Sequence, residues 1–156
     1  MRKRLITGAP QASSRREQDW LDLSSVATVE VTSETKEHPI DSALLASDSR
    51  GWRAAGPGTQ IIRLLFDRPL KVKRISLAFE ETENSRLQEF VLRWSSDLGR
   101  SFREIVRQQW NFSPPGTVRE VEDYKVDLLD VTVMELEIVP DKSGVAQASL
   151  SSLRLA

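Results

Sequence analysis

The chain reads as an all-β protein, an antiparallel sandwich or barrel. At least seven short segments alternate apolar and polar residues with the two-residue period of a half-buried strand. Clusters of Gly, Pro, Asp and Ser separate these segments, and very little repeats with the period of a helix. A succession of such strands closes into a sandwich or barrel.

Residues 1–19 set Arg2, Lys3, Arg4, Arg15 and Arg16 among small polar residues, so a flexible basic arm is expected there and the domain over 20–156. Only Leu5 and Ile6 follow the basic start, too few for a signal peptide. Trp20 is expected to plug one end of the sandwich. Val29 and Val31 alternate with Thr28, Glu30 and Thr32 as a first strand. One or two helical turns are expected within Glu17 to Leu23 and within Ile40 to Leu45. Gly56-Pro57-Gly58 then marks a turn. Ile62, Leu64 and Phe66 alternate up to a turn at Asp67-Arg68-Pro69, and Ile75, Leu77 and Phe79 form the strand after it.

The segment from Phe90 to Phe102 is the most specific. Phe90, Leu92 and Trp94 point to one face and Val91, Arg93 and Ser95 to the other. The strand ends in Ser96-Asp97-Leu98-Gly99, where Asp97 can bond its own backbone two residues on and Gly99 supplies positive φ. A hairpin with a special corner is predicted. Gln108 to Phe112 reads as a loop, or as a strand face because Trp110 and Phe112 alternate. Ser113-Pro114-Pro115-Gly116 makes a turn. Tyr124, Val126 and Leu128 alternate, as do Thr132, Met134, Leu136 and Ile138. A turn over Pro140 to Gly144 precedes a last strand holding Leu153 and Leu155.

At 156 residues, one domain with a sizeable core is expected. The net charge of −1 gives no global attraction to nucleic acid or an anionic membrane. No stretch has the roughly 20 apolar residues of a membrane-spanning helix. With no cysteine there is no disulfide, thiolate ligand or thiol catalysis, and a reducing, cytoplasmic setting is expected. His38 is the one histidine, so a histidine-rich metal site is excluded and any serine triad would have to use it. No Gly-x-Ser-x-Gly elbow and no phosphate loop is present. A non-enzyme is expected, without a cofactor.

The order of the motifs resembles the discoidin domain, or coagulation-factor C-type domain, of the galactose-binding-like superfamily. His38-Pro39-Ile40-Asp41-Ser42-Ala43-Leu44 and Ser47 to Trp52 match its helical-turn loop and tryptophan. Gln60 to Phe66 with Arg68 to Val72 match the next pair of strands. Phe90 to Phe102 matches the Ser-Asp-Gly segment, with Leu98 inserted before Gly99. Met134 to Pro140 and Ala148 to Leu155 match the last two strands. The resemblance covers about residues 20–155 and implies a jelly-roll-like β-sandwich. Three departures stand out. Flanking cysteines are missing, Met134 and Glu137 stand where the family carries arginines, and Ser152-Leu153 replaces Glu-Leu. They point away from the secreted, lipid-binding branch.

Related sandwiches bind ligands on loops at one end, held rigid by the sheets. The resemblance implies a binding module for a carbohydrate or, alternatively, for a protein partner within a larger assembly. A sugar site needs an aromatic face and planar hydrogen-bonding groups. Trp110 or Phe112 would supply the face, and His38, Arg50, Arg53 and Asn111 the polar contacts. Trp52 joins the set by its place between Arg50 and Arg53, although its family counterpart commonly packs under the loop. These residues are expected to converge at one end of the barrel. Some family members also hold calcium in the loop after the short helix, which makes Asp41 and Asp48 candidate ligands for a structural ion. The basic stretch Arg63, Arg68, Lys71, Lys73 and Arg74 reads as a solvated face around a hairpin, with a partner surface as the alternative.

Overall fold

Two long strands carry the architecture. The computed structural model describes residues 20–45, 48 and 50–156, so the expected arm over 1–19 lies outside the described residues. The elements run α1 (Leu23–Val26), β1 (Ala27–Val31), α2 (Asp41–Leu44), β2 (Trp52–Pro57), β3 (Gln60–Glu80), β4 (Arg86–Ser95), β5 (Arg103–Phe112), β6 (Arg119–Val139), β7 (Gln147–Leu150) and β8 (Ser152–Leu155). Strands β3 and β6 have 21 residues each and pair antiparallel from Gln60↔Ile138 to Glu80↔Arg119. Straight, such a ribbon would run roughly 70 Å. It does not stay straight, because its register shifts between Leu65 and Arg74.

The expected turn at Asp67-Arg68-Pro69 is this bend, not a hairpin. All three residues are exposed inside β3, and Pro69 has no N–H to give to β6. On β6, Asp130 sits at positive φ of 56° beside the Val131↔Leu70 pair. A gap in the ladder on one strand and a left-handed residue on the other fold the ribbon over. The two strands expected around each side of the bend are therefore halves of β3 and of β6.

One half of the ribbon builds the first layer, in the order β1-β3-β6-β4-β5. The other half builds the second, where β8 pairs β3 and the β2–β7 ribbon lies beside it through Ser151 N–H donating to Ala78 O at 2.8 Å. Alternation supplies the core. Ile62 and Leu64 of the first layer face Ile75, Leu77 and Phe79 of the second, and all are buried. The rings of Phe79 and Phe90 join the layers, 5.2 Å apart and tilted by 31°.

The outer face of the first layer is tied by ions. Arg63 donates to Glu30 and Glu135, and Arg93 bridges Glu135 and Glu137. Arg74 pairs with Asp123 and stacks 4.6 Å over Trp20. The basic stretch from Arg63 to Arg74 is thus divided. Its two outer arginines serve structural pairs, while Arg68, Lys71 and Lys73 are exposed along the bend and after it.

The predicted hairpin joins β4 to β5. Gly99 has positive φ of 88° as expected, and Leu98 shares that region at 63°. Asp97 accepts from the backbone N–H of Ser101 at 2.9 Å, four residues on rather than two, and from the hydroxyls of Ser95 and Ser101. These donors hold its carboxyl far below the usual carboxylate range. This corner, the ribbon bend and the described chain ends share one end of the sandwich, for Leu98 N–H donates to Thr132 Oγ1 and Leu21 N–H to Leu155 O. At the opposite end lie the links after β1, β2, β3, β5 and β6.

Candidate functional site

The link after β1 makes a tight turn, Thr35 to His38, closed by an antiparallel bridge. Backbone bonds clip it to the free edge of β2: Thr35 N–H donates to Arg53 O at 2.9 Å and Arg53 N–H to His38 O at 3.1 Å. Along β2 the side chains alternate, with Trp52 and Ala54 inward and Arg53 outward. Gly51 permits β2 to close against β7 on its other edge. Its φ is +75°, and a Cβ there would stand 2.9 Å from Leu150 O.

His38, Arg50 and Arg53 therefore meet, as the sequence suggested. His38 Nδ1 lies 3.2 Å from Arg50 O. A carbonyl only accepts, so Nδ1 carries the hydrogen and Nε2 of the neutral ring is an acceptor. Arg50 reaches Glu37 O through Nη1 and commits Nε and Nη2 to Asp48. Arg50 and the Ser42 hydroxyl hold the Asp48 carboxyl far below its ordinary range.

Between the turn, β2 and β7 lies an open depression of about 440 Å³, lined by Thr35, Lys36, Glu37, His38, Arg53 and Gln147. Gln147 is anchored by its side-chain amide, which donates to Ala54 O at 3.3 Å. Thr35 Oγ1 is buried and finds no partner among the described residues. Thr35, Lys36 and Gln147 carried no sequence signal as site residues. Gln147 reaches the site only because β7 pairs β2 from 93 residues away.

The aromatic half of the expected site does not assemble. Trp52 is 1% exposed and its indole N–H donates to Ser33 O at 2.9 Å, so it lies in the core beneath the loop. Phe112 is fully buried under Arg86, whose guanidinium stacks 4.8 Å from its ring. Residues 108–112 form the end of β5 rather than a loop. Trp110 is a half-buried, inward residue opposite Gln88, and Asn111 is exposed on the outer face opposite Leu87. Neither lines the depression. Strand β5 is at the far edge of the first layer from β1, four strand spacings of about 4.8 Å away.

The calcium expectation fits poorly. Among the described residues no group of three or more acidic or histidine side chains is placed to hold a metal. Asp41 is exposed at the start of α2, and Asp48 already serves Arg50 and Ser42, with which a cation would have to compete.

Where Trp110 does lie, the interior is polar. Arg86 donates to Glu81, to Gln88 Oε1 and to Pro140 O. Glu120, opposite Phe79 on β6, is fully buried, and neither carboxyl oxygen has a hydrogen-bond partner among the described residues. Burial, followed by the charge of Glu122, pushes its carboxyl up to about 7, against an opposing pull from Arg86. Gln88 Nε2 and Trp110 Nε1 are likewise buried without partners among the described residues.

No protein-family profile and no curated protein sequence matches this chain. Solved structures do. A family 32 carbohydrate-binding module from Clostridium perfringens NanJ, in complex with galactose, superposes with a TM-score of 0.63 at 14% identity, over 87% of this chain and 96% of that one. The chain has the galactose-binding-like sandwich fold. A pectin-binding carbohydrate-binding module gives a TM-score of 0.60 at 16% identity, over 83% and 89% of the two chains. Reduced XRCC1, bound to the DNA polymerase β catalytic domain, gives 0.57 at 14% identity, over 84% and 94%.

Proposed function

We propose that this domain is a non-catalytic carbohydrate-binding module whose ligand seats in the depression formed by the Thr35–His38 turn, β2 and β7. The observation that carries the reading is the set of groups gathered there. An imidazole nitrogen, a carboxylate, a guanidinium, an ammonium and an amide line one open surface at the loop end of the sandwich. Sugar hydroxyls both donate and accept, and this mixture offers partners for both roles. The structural likeness to modules solved with galactose, or named for pectin binding, supports the same reading. So does the lone histidine, tied by Nδ1 to a backbone carbonyl rather than to a carboxylate that would orient it for catalysis.

A glycan array probed with the whole chain tests the proposal, followed by titration calorimetry of the hits. Specific binding that Arg53→Ala weakens, with thermal stability unchanged, is expected. A blank array from folded protein overturns the reading and leaves recognition of a protein partner in its place.

A further inference from the structure

We infer that the depression selects an acidic saccharide, one carrying a carboxylate or a sulfate. This deepens the binding reading above and rests on it. The first ground is the missing platform. Among the described residues no aromatic side chain lines the depression, since Trp52 is buried and Trp110 sits on β5. A neutral sugar would then depend on single hydroxyl hydrogen bonds in a surface open to water, where each one gains little net. An anionic group on the ligand changes that balance, because both partners then carry charge and a guanidinium can hold it through two parallel bonds.

The second ground is the charge that lines the site. Lys36 and Arg53 face one carboxylate, Glu37. Among the described residues, no carboxylate lies within 4 Å of either cation, whereas Arg50 beside them is taken up by Asp48. Arg53 is also the better positioned of the two. Its backbone is bonded twice to the Thr35–His38 turn, the N–H donating to His38 O and the carbonyl accepting from Thr35 N–H. The guanidinium fork on that fixed Cα suits a planar carboxylate or a sulfate held by two bonds. Glu37 and His38 Nε2 are left for ligand hydroxyls.

Calorimetric titration of the whole chain with trigalacturonate, with a sulfated galactose disaccharide and with neutral galactotriose decides the matter. At least one acidic probe should bind about tenfold more tightly than the neutral one, and the gap should close as sodium chloride rises from about 50 to 500 mM. Arg53→Ala and Lys36→Ala should each weaken acidic binding far more than neutral binding, and so remove most of the acidic preference. Arg100→Ala, at the opposite end of the sandwich, should retain it. Equal affinity for neutral and acidic probes, or a preference that survives Arg53→Ala, overturns the inference while the carbohydrate reading stands. Failure of every saccharide to bind the folded protein overturns both.

Discussion

Glu120→Gln should make the protein more stable at alkaline pH and leave it nearly unchanged at acid pH. The carboxyl is fully buried, its oxygens have no partner among the described residues, and burial pushes it up to about 7 from its ordinary 4.5. In the unfolded chain the same group loses its proton around 4.5. Between 4.5 and 7 the folded protein holds a proton that the unfolded chain has released, so stability falls as pH rises through that window. Above about 7 the loss is complete. A separation of about 2.5 pH units, at about 1.36 kcal/mol each, sets a ceiling of about 3 kcal/mol. The charged groups that bear on the carboxyl are Glu122 on its own strand, which raises the cost of ionisation, and Arg86 from β4, which lowers it. Glutamine keeps the shape and cannot ionise. Asp48 and Asp97, held low by their hydrogen bonds, lose their contributions only at more acid pH and do so in both proteins. Urea unfolding of wild type and variant at pH 4.5, 6, 7 and 8.5 therefore isolates the group. The stability difference should grow by about 1–3 kcal/mol toward pH 8.5, in favour of the variant. A difference that stays flat across this range would refute the reasoning, as would a variant that weakens at alkaline pH.

Gly51→Ala should cost about 1–3 kcal/mol in thermal unfolding, because a methyl group would meet Leu150 O at 2.9 Å in a left-handed backbone. Saccharide affinity should fall with it, since Gly51 sets the approach of β2 to β7. Leu98→Asn should raise stability by a few tenths to about 1 kcal/mol. Leu98 holds a positive φ of 63° with a side chain that is 74% exposed, and asparagine tolerates that conformation better. Glu135→Ala should destabilise by about 1–3 kcal/mol, read as a drop in the urea midpoint, because one buried carboxylate accepts from both Arg63 and Arg93. Glu135→Gln should lose less than alanine does.

Alternation makes the strands legible in the sequence. Ile62, Leu64 and Phe66, or Phe90 and Leu92, announce a buried face because neighbours two apart share one side of a sheet, a purely local fact. The hairpin corner is legible for the same reason, since Asp97 and Gly99 act within a few residues of themselves. His38 and Arg53 can be suspected together, as they lie 15 positions apart in one stretch of chain. What lies beyond the sequence is every choice made by distant pairing. Asp67-Arg68-Pro69 has the composition of a hairpin turn, and only the continuous partner strand β6 makes it a bend inside β3. Trp52 and Phe112 have the composition of ligand platforms. Whether such a ring faces solvent or core depends on which layer covers it, and here the core takes both. Gln147 enters the depression through a strand pair separated by some 93 residues. Local chemistry sets which residues form strands and corners. The position of each strand in the two layers is set by burial summed over the whole chain, and that sum decides which side chains are left at the surface to bind.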